Sequence, residues 1–192
     1  MILDAAVLNN YFAACAPDIG RPTIAAIVKV ESGGNPWAIN VNTSVRRWRA
    51  NSYREAVQIV KALIAAGHSV DIGLAQINSR NLRRIGMTVE EVFEPCRNLM
   101  AASSILKQCY LPASEKYGHG QRALVHALSC YNTGSMYAGR RYVQRILAAA
   151  GATDAVRSIA ASSLGGPRRS RSTGSNKSVL ATLDGRENWR FF

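Results

Sequence analysis

Apolar residues in this chain recur three and four positions apart over most of its length, the period of an amphipathic α-helix. Ala56, Val57, Val60, Leu63 and Ile64 form one such stripe, opened by the capping pair Ser52 and Glu55 and closed by Gly67. Behind Pro22, suited to a first helical turn, Ile24, Ile27 and Val28 form another, which Gly33–Gly34 ends. Thr88 and Glu91 repeat the capping pair ahead of Val92 and Phe93. Pro95 opens a longer helix carrying Leu99, Ile105 and Leu106, expected to end before Pro112. Residues 121–131 and 140–150 each place leucines, alanines, valine or isoleucine on one face, and residues 1–17 read as a first amphipathic helix. Extended signals are confined to Ala38–Val45 and Ser69–Ile77. The expected class is mainly α, with at most a short β segment.

With 192 residues, 47% of them hydrophobic, the chain can bury a core of its own. No apolar run approaches the roughly 18 residues that span a bilayer, so no transmembrane segment is expected. Net charge is +12, with a pI near 10.1. Such a chain seeks polyanions: nucleic acid, an acidic membrane face or an anionic wall polymer. No RNP-like, helix-turn-helix or zinc signature accompanies the charge, so no specific nucleic-acid partner is expected. Composition changes after Gly151, where Gly165–Gly166–Pro167 and Arg168–Arg169–Ser170–Arg171–Ser172 follow one weak helical stretch, Thr153–Leu164. The expected organisation is a folded domain over 1–150 and a flexible, basic tail over 151–192.

Four cysteines, Cys15, Cys96, Cys109 and Cys130, show neither C-x-x-C nor a zinc-type Cys/His spacing, and no metal site is expected. An even count permits two disulfides in three connectivities, favoured if the chain is exported. Residues 1–17 lack a basic leader region, and Asp4 and Asn9–Asn10 interrupt the apolar stretch, so no signal peptide is visible in this numbering.

Three segments can carry chemistry. Glu31 lies seven, four and three positions after Ile24, Ile27 and Val28, on the apolar face of its helix and at the helix C-terminus. Desolvation and the negative end of the helix dipole both disfavour its ionisation, which suits a proton donor near neutrality. Taken alone, the spacing also fits a carboxylate at the stripe's edge, paired with an arginine or turned outward. In Asp71–Ile72–Gly73–Leu74–Ala75–Gln76–Ile77–Asn78, the amides Gln76 and Asn78 share a side if the segment is extended. Amides suit sugar hydroxyl and N-acetyl groups. Ser129–Cys130–Tyr131–Asn132–Thr133–Gly134 ends a helix with Asn-x-Gly.

In this order, with Ala25–Pro36, Gly67–Val70, Phe93–Leu99 and Tyr142–Val143, these segments resemble the lytic transglycosylase domain of the lysozyme-like superfamily. The subgroup they look most like is the peptidoglycan-cleaving component of type IV secretion and conjugation systems. The resemblance covers about residues 5 to 148 and implies a goose-type lysozyme or soluble lytic transglycosylase fold. It implies cleavage of the β-1,4 bond between N-acetylmuramic acid and N-acetylglucosamine without water, leaving a 1,6-anhydro sugar. Glu31 would be the single catalytic acid and base. Ser32 would orient Glu31 or touch the sugar. Gln76 and Asn78 would hold N-acetyl and hydroxyl groups, and Tyr131, Asn132 and Tyr142 would line the site. Asp71 would be structural.

The resemblance further implies no cofactor, a periplasmic location, peptidoglycan strands as substrate and secretion components as partners. A periplasmic setting suggests Cys109 with Cys130 and Cys15 with Cys96. Ala75 stands where relatives often carry a larger residue, which would loosen one wall of the cleft. A hydrolytic muramidase on the same fold, or a wall-binding assembly protein of the secretion system, are the alternatives.

Overall fold

Three polar side chains fix helix starts by accepting backbone N–H groups that no helical carbonyl can reach. In the computed structural model, which describes residues 1–42 and 48–164, Asp4 Oδ1 accepts from Val7 N–H at 2.8 Å and opens α1 (Ala5–Cys15). Ser52 Oγ accepts from Glu55 N–H at 3.2 Å and opens α3 (Tyr53–Ala65), following α2 (Arg21–Glu31). Glu55 reaches back to Asn51 N–H, one residue short of a reciprocal box. Thr88 and Glu91 complete theirs at α5 (Val89–Phe93), behind the short α4 (Leu82–Ile85). The remaining helices are α6 (Pro95–Tyr117), α7 (Gln121–Thr133), α8 (Arg140–Ala149) and α9 (Asp154–Leu164).

The expected stop before Pro112 is not taken: α6 runs through it. A proline removes one i→i−4 bond and crowds the carbonyl it would have used, here that of Gln108. Both residues are exposed, while Cys109, Tyr110, Ala113 and Ser114 around them are buried. Tertiary packing on both sides therefore carries the helix past the break.

The two extended stretches become one small antiparallel sheet of β1 (Ile39–Val41), β2 (Val70–Ile72) and β3 (Ile77–Asn78), in that order. Ile39, Ile72 and Ile77 stand opposite one another, as do Asn40, Asp71 and Asn78. Alternation along each strand sends the isoleucines into the core and gathers the carboxylate between two amides on the other face. Residues 43–47, with Val45 and the Arg46–Arg47 cluster, lie outside the described residues.

The core is built around α6 and α7, with Leu99, Leu106 and Leu128 at no more than 1% exposure, and with Ile24 and Ile27 of α2 packed into it. Disulfides join Cys15 of α1 to Cys96 at the start of α6, and Cys109 of α6 to Cys130 of α7. Closing such loops stabilises a fold by about 3 to 4 kcal/mol each on the chain-entropy account. No helix among the described residues is long and apolar enough to cross a membrane.

Helix α9 packs on α7 and α8 and buries Ala160 and Leu164. A boundary at residue 150, where composition changes, therefore falls ahead of a helix that belongs to the packed body. The expected flexible tail from residue 165 onward lies outside the described residues. A chain ending after Gly151 is expected to be about 2–3 kcal/mol less stable than one ending after Leu164, the worth of burying a leucine and its neighbours. Paired thermal denaturation curves check the difference.

Candidate active site

Glu31 is the last residue of α2, and its surroundings are set by the ends of three other segments. The apolar stripe leading to it, Ile24, Ile27 and Val28, is at most 1% exposed. Ser32 closes the helix: its N–H and its hydroxyl both donate to the Val28 carbonyl, and its Oγ accepts from Gly34 N–H at 3.2 Å. The Ser32 hydroxyl is thus engaged with backbone. From α8, Arg145 donates to the Val30 carbonyl at 3.0 Å and ties that helix to the same terminus.

Burial pushes the Glu31 carboxyl up to about 7. The Tyr142 hydroxyl opposes the rise, the neighbouring Asp71 charge adds to it, and Arg145 subtracts. Tyr142 is buried on α8, and its hydroxyl is close enough to influence Glu31 without making a hydrogen bond of full geometry to any group. Its own pKa is raised by burial and by Glu31.

The second wall is the β2–β3 turn. Gly73 adopts φ +79°, and a Cβ there would lie 2.3 Å from the Asn98 amide nitrogen. Only glycine permits both the conformation and the approach. Asn98, fully buried on α6, spends its side chain on this turn and on α5: Nδ2 donates to the Ile72 and Val92 carbonyls at 2.9 and 2.7 Å, and Oδ1 accepts from Ala75 N–H at 2.8 Å. Ala75 is itself buried, so its small side chain does not loosen the cleft wall. Tyr131, near the end of α7, donates its hydroxyl to the Ala75 carbonyl at 2.8 Å. Gly134 then ends α7 in the left-handed region.

The segment is not extended throughout, since a turn spans 73–76, yet Gln76 and Asn78 both line one cleft. Gln76 has φ +51°, the positive-φ non-glycine residue of the described chain, and its Nε2 donates to the Ala38 and Gly73 carbonyls. Asn78 donates to Asp71 Oδ1 at 2.6 Å and to Ser69 Oγ at 2.9 Å. Burial raises the Asp71 pKa, while hydrogen bonds from Asn78, Asn42 and Asn40 hold it down. Amides, with no arginine, satisfy this second carboxylate.

A cleft of about 790 Å³ brings Glu31, Gln76, Asn78, Tyr131 and Asn132 together, along with Asp71 and both cysteines of the Cys109–Cys130 bridge. Ser32 and Tyr142 are not part of that lining. Arg80, Arg84 and Gln108 also line the cleft and were not singled out from the sequence. Arg84 and Gln108 are 24 residues apart on different helices, so no local pattern announces their meeting. Among the described residues no cluster of three His, Cys, Asp or Glu side chains is arranged to hold a metal ion.

The profile of the family described as Transglycosylase SLT domain matches residues 9–147. Over 186 residues the chain is 36% identical to "Type IV secretion system protein virB1" of Brucella suis biovar 1 (strain 1330), covering 88% of this chain and 78% of that protein. It is 40% identical over 147 residues to the protein of the same name from Brucella abortus biovar 1 (strain 9-941), covering 72% of this chain and 62% of that one. It is 38% identical over 150 residues to "Protein virB1" of Rhizobium radiobacter, covering 77% of this chain and 62% of that one. The chain thus spans less than two thirds of the latter two proteins. No solved structure matches it significantly.

Removing the Asn98 side chain orphans three buried backbone groups; Asn98→Ala is expected to cost about 4 kcal/mol, read by urea denaturation. A carboxyl raised from 4.5 to about 7 favours folding fully below pH 4.5 and loses that contribution as pH climbs through 7. Glu31→Gln is therefore expected to match the wild type in stability near pH 4 and to exceed it by roughly 3 kcal/mol at pH 8. Denaturation midpoints across that range decide it; a difference independent of pH would contradict the shift.

Proposed function

The chain belongs to the Transglycosylase SLT domain family of lytic transglycosylases, and on that premise we propose that it cleaves the β-1,4 bond between N-acetylmuramic acid and N-acetylglucosamine in peptidoglycan, leaving 1,6-anhydro ends. The observation that carries the reading is the Glu31 carboxyl, buried on an apolar face and raised to about 7 beside an open cleft. Near neutrality such a group is available in both protonation states, as a single acid and base requires.

Protonated Glu31 donates to the glycosidic oxygen as the bond to the muramic C1 breaks. The resulting carboxylate then takes the proton of the C6 hydroxyl while that oxygen bonds to C1. The proton returns to Glu31, and no water is consumed. The substrate's own N-acetyl group shares the positive charge at C1, so no second carboxylate is demanded, unlike the usual two-carboxylate scheme. Asp71, clamped by Asn78, acts on Glu31 through its charge. Tyr142 steadies Glu31, and Tyr131 and Asn132 offer surface to the sugar. The amides of Gln76 and Asn78 shape the cleft wall: Asn78 is engaged by Asp71, Ser69 and Arg80 N–H, while Gln76 spends its Nε2 on backbone carbonyls and offers its carbonyl oxygen to the glycan.

Two disulfides fit an oxidising compartment, and the periplasm is the proposed location. The names of the relatives support a role in opening the wall for a type IV secretion apparatus, whose other components would be partners. The high positive charge favours an anionic wall. The reaction is assigned to the packed body, with the basic remainder serving contacts outside it.

Mass spectrometry of fragments released from purified peptidoglycan tests the reaction. Wild-type protein is expected to release anhydro-muramic ends, and Glu31→Gln to lower the rate on the order of 10³-fold. Reducing ends, heavier by one water, would make the enzyme a hydrolase instead.

A further inference from the structure

The cleft that holds Glu31 also carries two arginines to which the reaction gives no task. Arg80, in the single turn Ser79–Asn81, and Arg84, in α4, follow β3 directly and line the cleft. Arg84 is positioned by neutral groups: its guanidinium donates to Gln108 Oε1 on α6 and to Asn81 Oδ1. Among the described residues neither arginine is paired with a carboxylate. The ion pairs among the described residues are Lys61–Glu90 and Arg97–Glu91, and neither lines the cleft. Of the carboxylates that do line it, Asp71 is engaged by Asn78, and no ion pair joins Glu31 to either arginine among the described residues.

An arginine oriented by amides keeps its full charge and several of its five N–H donors. Arg80 and Arg84, both exposed where they line the cleft, put like charges four positions apart, a modest cost that a neutral sugar chain does not offset. A carboxylate does offset it, and the planar fork of a guanidinium matches a carboxylate in two parallel hydrogen bonds. Where the peptide is attached, the glycan presents hydroxyl, ether, N-acetyl and lactyl amide groups, all neutral, whereas the short peptide carried on its muramic acid ends in free carboxylates.

We propose that Arg80 and Arg84 form an anion subsite for a carboxylate of the glycan-linked peptide, so that strands whose peptides carry free carboxylates are the preferred substrate. This rests on the reading of the cleft as a peptidoglycan site and adds to it which form of the polymer is selected.

The test uses the full chain carrying Glu31→Gln, so that strands bind without being cut. Fluorescently labelled soluble strands are prepared with their peptides, and the peptide carboxylates of a second portion are converted to carboxamides. Strands with free peptide carboxylates are expected to bind about tenfold more tightly than the carboxamide strands by anisotropy, a preference of about 1.4 kcal/mol. Adding Arg80→Gln with Arg84→Gln should abolish that preference, and Arg84→Lys alone should weaken it. Arg140→Gln with Arg141→Gln removes the same charge from exposed positions of α8 and should leave it intact. Equal binding of the two strands by the parent protein, or an equal loss of preference from the α8 pair, would overturn the subsite. Fragment release by wild-type protein, followed on the same strands, reports the reaction separately, so a failure of the chemistry and a failure of the subsite are told apart.

Discussion

The Asn98 amide is the joint on which the cleft is assembled. Its three hydrogen bonds fix Ile72, Ala75 and Val92 at once, and they leave room at Gly73 for no side chain. The Ala75 carbonyl, held in this way, receives the Tyr131 hydroxyl from α7. Sheet, α6 and α7 therefore meet at one buried point. A buried amide left short of partners costs more than the same amide fully satisfied contributes, which makes such a joint rigid as well as stable. The position of Asp71, and through it part of the field at Glu31, follows from that joint.

Two carboxylates then share one cleft under different regimes. Desolvation is the largest influence on each, but Asp71 is offered several amide donors, while Glu31 has only the incomplete approach of Tyr142 and the distant charge of Arg145. Donors stabilise the charged form and burial opposes it, so Glu31 is the group left near 7. The Cys109–Cys130 bridge lies in the same lining and ties α6 to α7 beside Tyr131. The chemistry at Glu31 thus depends on a frame closed by covalent, hydrogen-bonded and apolar contacts together.

Much of the fold was legible because its signals are local. The caps at Ser52 and Thr88, the apolar stripe before Glu31 and the Asn-x-Gly end of α7 each lie within a few residues. Pro112 was misread because α6 is carried past it by the burial of Cys109, Tyr110, Ala113 and Ser114 in the core, which no local signal announces. The backbone at Gln76 was misread because alternation describes a strand, and the turn that Asn98 and Gly73 enforce places Gln76 at positive φ. Asn98 stood within a recognised segment, yet nothing in its neighbours revealed three backbone partners. The meeting of Arg84 with Gln108 was equally silent. Long-range polar contacts leave no period in a sequence, and the lining of this cleft is made largely of them.

The central claim is that this frame holds one carboxyl, Glu31, poised between its acid and base forms. The direct measurement is a pH titration of the Glu31 side-chain carbon by NMR in the full chain, assigned by its disappearance in Glu31→Gln. The account predicts a midpoint near 7, well separated from the exposed glutamates. A midpoint near the ordinary 4.5 would show that burial does not govern this group, and would contradict its use as the proton donor.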